Sequence, residues 1–151
     1  MKVSKYCPTR QLWDDQKACS LRVKCALISS EDPQSCFLIG GKENGIRLDT
    51  IELYNSASDK ISHIATKLPC PRSGCAAVRI GQKAYICGGN DGEKILDEAL
   101  VFDLETHEIK KLKSMKVPRD ELALTVGSDG SIYAIGGFGG NEHCCLKSVE
   151  R

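Results

Sequence analysis

The chain has 151 residues, 41% of them hydrophobic, and carries 21 Lys plus Arg against 20 Asp plus Glu. This length and apolar content fit one globular unit with a buried core. A formal net charge of +1, without a long block of one sign, gives no reason to expect nucleic acid or anionic lipid as a partner. No apolar stretch approaches the roughly 20 residues of a membrane span and the start is polar, so we expect a cytoplasmic chain that binds no membrane.

The chain is divided into short runs, and landmarks in these runs recur with a fixed step. An aromatic residue follows an alternating run at Tyr6, Tyr54 and Phe102, with 48 residues between neighbours. Double glycines close three apolar runs with the same step: Gly40 and Gly41, Gly88 and Gly89, Gly136 and Gly137. Such self-similarity indicates a repeat architecture.

Two further landmarks complete the repeat. A bulky apolar residue comes seven positions after each aromatic, at Trp13, Ile61 and Ile109. A Pro-Arg pair opens another apolar run at 71–72 and 118–119, with Leu-Arg at 21–22 as a weaker counterpart. Each repeat therefore contains four elements.

The four elements are predicted to be strands, named a to d in chain order. The runs are short and rich in β-branched residues, and Gly, Asn, Asp and Ser separate them. We predict strands at 23–28, 36–39, 49–54 and 60–64 for the first full set, and at 74–79, 83–87, 97–102 and 108–112 for the second. Residues 14–27 include helix-forming types, but their register against the other repeats favours coil followed by strand.

Nine cysteines raise the question of disulfides or a zinc site. Their odd number prevents complete internal pairing, and no two have the Cys-x-x-Cys spacing of zinc modules. Four lie in apolar runs, where a reduced cysteine acts as a small hydrophobic residue: Cys25, Cys36, Cys75 and Cys87. We expect reduced thiols, no metal and no cofactor, with the pair at 144–145 exposed in a polar loop.

This pattern resembles the kelch repeat, in which a double glycine ends the second strand and is followed by a tyrosine and then a tryptophan. Residues 131–140 and 146–151 are especially similar to the Kelch-like proteins, which carry BTB and BACK domains before their kelch repeats. Trp13 alone keeps the tryptophan, since Ile61 and Ile109 replace it in the other copies. The resemblance implies an all-β fold, a kelch-type β-propeller over residues 1–151, with repeats at about 1–48, 49–96 and 97–151 that start at strand c.

Three repeat lengths are fewer than the roughly four to eight blades of a closed propeller. We therefore expect a partial propeller or fragment, or a chain that closes by self-association. The glycine pairs fit the crowded hub, where backbones approach closely and positive φ is needed. The segment 136–140 superficially suggests a phosphate loop, but no Lys-Ser or Lys-Thr follows it.

No catalytic constellation is apparent, so we predict that the chain is not an enzyme. His63, His107 and His143 are assigned to an outer strand, a turn and a loop, and carboxylates such as Asp103, Glu105 and Glu108 lie mainly in turns and outer strands. Kelch-like oxidases need several converging metal ligands, and three histidines are too few for such a site.

We expect a protein-binding scaffold whose loops at one mouth recognise a partner. The Kelch-like resemblance implies the substrate-recognition part of a ubiquitin-ligase adaptor, with a cullin-type ligase reached only through a BTB domain that these residues do not include. The alternative is an actin-binding or cytoskeletal kelch protein. The predicted mouth comprises the first residues after the double glycines and those at the start of strand a: Lys42, Asn90, Phe138, Ser73, Asp120 and Glu121. One exposed aromatic among mixed charges suits a polar peptide with a hydrophobic anchor.

Overall fold

The computed structural model describes residues 3–16, 22–139 and 144–151, and the regular elements within these ranges are β-strands. His143 falls outside the described residues. The chain begins with β1 (Val3–Cys7) and β2 (Leu12–Gln16), which form a two-stranded antiparallel sheet. Tyr6 of β1 lies opposite Trp13 of β2.

The first blade is an antiparallel sheet of four strands in the order β3-β4-β7-β8. Its strands are β3 (Ala26–Ser29), β4 (Ser35–Ile39), β7 (Thr50–Asn55) and β8 (Lys60–Lys67), and they are the predicted strands a to d. The loop between strands b and c carries a small hairpin of β5 (Lys42–Glu43) and β6 (Ile46–Arg47).

The second blade repeats this sheet, with β9 (Ala76–Ile80), β10 (Lys83–Cys87), β11 (Ala99–Asp103) and β12 (Ile109–Lys111) as strands a to d. Phe102 pairs with Ile109 as Tyr54 pairs with Ile61, so the 48-residue step of the sequence is also a step of sheet register.

The third blade is described over strands a, b and the start of c. Its sheet contains β14 (Ala123–Val126), β15 (Ile132–Ile135) and β18 (Val149–Glu150). Beside it, β13 (Arg119–Asp120), β16 (Phe138–Gly139) and β17 (Cys144–Cys145) pair where the loops meet. The architecture is that of a partial kelch-type β-propeller, as predicted. Each full sheet combines strands a and b of one sequence repeat with strands c and d of the next.

The core lies between the blades. Ile39 and Ile51 of the first blade and Ile86, Leu100 and Phe102 of the second are fully buried in one cluster. A smaller cluster between the second and third blades contains Cys87, Ala99, Leu122 and Ala134. Alternate residues of each strand face opposite blades, which explains why the inner strands are apolar at almost every position.

Strand a begins later than predicted in both full blades, at Ala26 and Ala76. The residues two positions before these starts, Lys24 with φ 53° and Gly74 with φ 69°, adopt left-handed backbone conformations that interrupt an extended strand. Val23, the predicted start of strand a in the first blade, and Ser73, one residue before the predicted start in the second, pair instead with the loop after strand b, opposite Lys42 and Asn90.

Candidate protein-binding mouth

A buried arginine stands just before strand a in every blade and ties the loops of the mouth together. Arg22, Arg72 and Arg119 are 4%, 0% and 0% exposed. In each blade Nη1 donates to the carbonyl of the first hub glycine, at 2.9 Å for Gly40, 3.4 Å for Gly88 and 2.7 Å for Gly136. The recurring arginine of the sequence is therefore a structural clamp.

The glycine pairs sit where neighbouring backbones converge. The amide of Gly41 donates to the Arg72 carbonyl at 2.7 Å, and Gly89 donates to that of Arg119 at 2.8 Å, so these two pairs join the first blade to the second and the second to the third. A Cβ on Gly40 would stand 2.6 Å from the Arg72 carbonyl oxygen. The predicted crowding at the hub is confirmed there, and Gly40, with φ +60°, combines that contact with left-handed backbone.

Three residues with positive φ connect the blades around the axis. Gly74 donates its amide to the carbonyl of Lys24 at 2.8 Å, and Glu121 donates to the carbonyl of Gly74 at 2.8 Å. The side chains of Lys24 and Glu121 form an ion pair across the intervening blade. A Cβ on Gly74 would collide with the carboxylate of Asp120, so the absence of a side chain at Gly74 leaves room for Asp120.

The structure brings the predicted mouth residues into pairs. Asn90 bridges to Ser73, and Phe138 of β16 lies opposite Asp120 of β13. Lys42 pairs in the same way with Val23, which the prediction did not include. Each residue after a double glycine is thus paired with the segment that precedes strand a in its own blade.

Accessibility differs among these residues. Phe138 is 42% exposed and Glu121 is exposed, whereas Lys42, Asn90 and Asp120 are half-buried. Ser73 is 4% exposed, so its side chain offers little contact area.

The charges of the mouth influence one another. Burial raises the pKa of Asp120, and the negative charge of Glu121 raises it further. The hydrogen bond to Glu121 raises the pKa of Lys24, which keeps the ammonium charged. The mouth therefore presents paired charges of both signs beside an exposed aromatic ring.

Sequence reasoning missed Lys24 and Arg47. Lys24 occupies the same repeat position as Gly74 and Glu121, and this correspondence could have identified it from the sequence. Arg47 comes from the β5–β6 hairpin and extends towards the corresponding loop of the second blade, where a Cβ on Gly92 would lie 3.1 Å from its Nη1. Because Arg47 lies in this loop, the repeat pattern of the sequence did not identify it.

The other groups considered from sequence lie away from the mouth. His63 is exposed on β8 with Nδ1 3.2 Å from Oε1 of Glu52, and the ring of His107 stacks on Phe102 with 5.8 Å between centroids. Among the described side chains, no group of three or more His, Cys, Asp or Glu is placed to hold a metal ion. Over the same part of the chain, no helix is long and apolar enough to cross a membrane.

These blades, clamps and hub glycines define a class of repeat protein that offers a rigid loop surface for interaction. The sequence profile of the Kelch motif matches residues 71–116 and 123–151. The chain is a kelch-repeat protein.

Its relatives include a kelch repeat-containing protein of Arabidopsis thaliana, 37% identical over 82 residues, which are 54% of this chain and 19% of the relative. A putative F-box/kelch-repeat protein of the same plant is 34% identical over 119 residues, 74% of this chain and 28% of the relative. Kelch domain-containing protein 10 of Rattus norvegicus is 30% identical over 117 residues, 72% of this chain and 28% of the relative. The chain thus matches less than a third of each relative's length.

Proposed function

We propose that the chain is a protein-recognition module that binds a polar segment of its partner at the mouth, with Phe138 as the hydrophobic anchor. The observation that carries this proposal is the exposure of Phe138. Phe138 is 42% exposed although its backbone is paired with β13 and β17, beside the buried clamp of Arg119. An aromatic side chain on rigid backbone loses little conformational entropy on binding.

The surrounding charges favour a polar partner over a purely apolar one. Lys42 and Asn90 occupy the same repeat position as Phe138, and Lys24 and Glu121 provide charges of both signs. A partner segment that follows these positions meets a cation, an amide and an aromatic ring in successive blades. Charges at such a rim contribute mainly to specificity and the rate of association.

We further propose that this module serves as the substrate-recognition part of a ubiquitin-ligase adaptor in the cytoplasm. The F-box/kelch names of two relatives support an adaptor class in general. The proposal predicts that a bound protein becomes ubiquitinated more slowly when the mouth is altered. Co-sedimentation of the chain with actin filaments would favour the cytoskeletal alternative instead.

The mouth is tested with Phe138→Ala and Lys42→Glu, singly and together. A tagged chain recovers partners from cytosol, and the purified partner is then titrated against each variant. We expect each single change to weaken binding about tenfold or more while the unfolding midpoint stays constant.

The matched controls lie at the opposite ends of the strands. Val126→Ala shortens an apolar side chain that is 37% exposed at the end of β14, and Lys60→Glu reverses an exposed charge at the start of β8. Both controls should bind normally. Undiminished binding by the double variant would reject the mouth as the site.

A further inference from the structure

The hairpin of β5 and β6 places two cations side by side at the mouth. Lys42 lies directly opposite Arg47 in the antiparallel register. Directly opposed residues have side chains on the same face, and like charges in such a pair destabilise each other. Glu43, the carboxylate of the same hairpin, pairs with Ile46 and therefore belongs to the other face. Among the described side chains, no carboxylate forms an ion pair with Lys42 or Arg47.

Arg47 also has a buried donor without an acceptor. Its Nε is buried, and over the described part of the chain neither Nε nor the two Nη atoms have a hydrogen-bond partner. The clamp arginines differ, since Arg72 donates from Nη1 to the Gly88 carbonyl and from Nη2 to the Glu98 carboxylate. A buried charged donor without an acceptor is costly. An acceptor supplied by a partner would remove this cost.

The guanidinium of Arg47 lies inside the mouth. Its Nη1 would be 3.1 Å from a Cβ on Gly92, in the equivalent loop of the second blade. Burial and the charge of Glu121 raise the pKa of Asp120, and the charge of Arg47 opposes this rise. Asp120 in turn lies opposite Phe138. A partner segment that runs from Phe138 across Asp120 therefore reaches the side of the mouth where Arg47 lies.

A carboxylate is the acceptor that suits these two cations. Its two oxygens match the parallel donors of a guanidinium, and its charge relieves the repulsion between Lys42 and Arg47. A neutral amide offers one acceptor oxygen and no charge. Val23 bridges to Lys42 on the other side and is 45% exposed, so an apolar side chain lies beside the cations.

We propose that Lys42 and Arg47 bind a carboxylate of the partner segment, so that the mouth recognises an acidic peptide with a hydrophobic residue that packs on Phe138. This inference rests on the proposed function of the mouth and specifies the charge of its partner. An Asp or Glu side chain and a free C-terminus offer the same chemistry, and the experiment distinguishes them.

A synthetic library of nine-residue peptides serves as the probe, prepared once with free and once with amidated C-termini. The purified 151-residue chain selects peptides from each preparation, and mass spectrometry identifies them. Enrichment of Asp and Glu among the amidated peptides would assign the carboxylate to a side chain. Selection from the free-ended library alone would assign it to the C-terminus. Bound peptides that show neither preference would overturn the proposal.

A double-mutant cycle then tests the contact with Arg47. The tightest peptide and its neutral counterpart, which has an amide in place of the carboxylate, are titrated against the unmodified chain and Arg47→Met. Each change alone should weaken binding about tenfold, and both together should cost little more, because they remove the same contact. Arg47→Lys should lie between, since it loses the parallel donors. Ile46→Ala, on the other face of the same hairpin, is the matched control and should bind normally. Additive losses would refute the contact.

Two further measurements separate binding from a structural role. Asp120→Asn removes a neighbouring negative charge but keeps an oxygen for the amide of Glu121, so it should tighten binding of the acidic peptide and leave its neutral counterpart unaffected. Arg47→Met should leave the midpoint of urea unfolding unchanged or raise it, because it removes a repelled charge and a buried donor without an acceptor. A lower midpoint would assign Arg47 to the fold and overturn the proposal.

Phe138→Ala separates failure of this inference from failure of the mouth. If the selected peptides bind this variant as well as the unmodified chain, the mouth is rejected and the inference with it. If their binding depends on Phe138 but not on Arg47 or the carboxylate, the inference alone is rejected. A library that yields no bound peptide rejects both.

Discussion

Arg72 donates from Nη2 to Oε2 of Glu98 at 2.8 Å. In the register of strand c, Glu98 lies two residues earlier than the glutamates that pair with the equivalent arginines of the other two blades. Arg22 reaches Glu52 at 2.7 Å and Arg119 reaches Glu150 at 3.2 Å. Residues two apart on a strand share a face, so the second blade keeps the clamp although the sequence position has changed.

Replacing Arg72 with Met should destabilise the chain by roughly 3 kcal/mol, because it removes the charged partner of Glu98 and the bond to the Gly88 carbonyl. Glu98 keeps Lys111, whose Nζ lies 2.7 Å from its other carboxylate oxygen. Urea denaturation at a fixed chain concentration measures the change. Lys110→Met is the control, since that side chain is 74% exposed, and it should change the free energy of unfolding by less than about 0.5 kcal/mol. Similar losses in both variants would refute the clamp.

The same clamp makes stability depend on acid pH. The hydrogen bond from Lys111, and then that from Arg72, lower the pKa of Glu98 below its ordinary value of 4.5. Because the folded pKa is the lower one, the stabilisation is present above pH 4.5 and disappears as the pH falls through the folded pKa. Glu98→Gln should therefore be less stable than the unmodified chain at neutral pH, with the difference shrinking below pH 4.5. Glu93→Gln, in an exposed loop, is the control, and a difference that stays constant down to strong acid would contradict the assignment.

Gly89→Val should cost about 2 kcal/mol or more. Gly89 has φ +96°, and a Cβ there would meet the backbone of Ser73 and Cys75 at 2.8 and 3.0 Å. Gly92 also has positive φ, but the three atoms nearest to its Cβ would all belong to the flexible Arg47 side chain, the closest at 3.1 Å. Gly92→Val should therefore be milder in thermal unfolding. Equal losses at the two positions would show that hub crowding does not determine the effect.

The fold could be predicted from the sequence because residues 48 positions apart have the same pairing register in successive sheets. Matching aromatics and apolar residues fall opposite one another in sheet after sheet, so Tyr54 with Ile61 and Phe102 with Ile109 locate strands c and d without any structural information. The start of strand a was less predictable. The positive φ at Lys24 is uncommon for a lysine, and it is stabilised by a backbone hydrogen bond from the next blade.

The residues of the mouth were also predictable only in part, because some of their contacts come from another blade. The first residue after each double glycine follows from the repeat, so Lys42, Asn90 and Phe138 were identified. The Lys24–Glu121 ion pair spans 97 residues and depends on how the blades are arranged around the axis. Local sequence pattern contains no information about that arrangement.

Cysteine reactivity should separate the blade interfaces from the exposed loop. Burial raises the pKa of Cys75 to about 11 and that of Cys87 to about 11. At pH 8 only about one thiol in a thousand is then the reactive thiolate, whereas Cys144 and Cys145 are exposed.

Brief treatment with iodoacetamide, followed by mass spectrometry, should label the 144–145 pair and leave Cys75 and Cys87 unmodified until urea is added. Cys75 belongs to the interface of the first and second blades. Rapid labelling of Cys75 in the folded chain would mean that the first two blades separate, and this result would contradict the packing of their shared core.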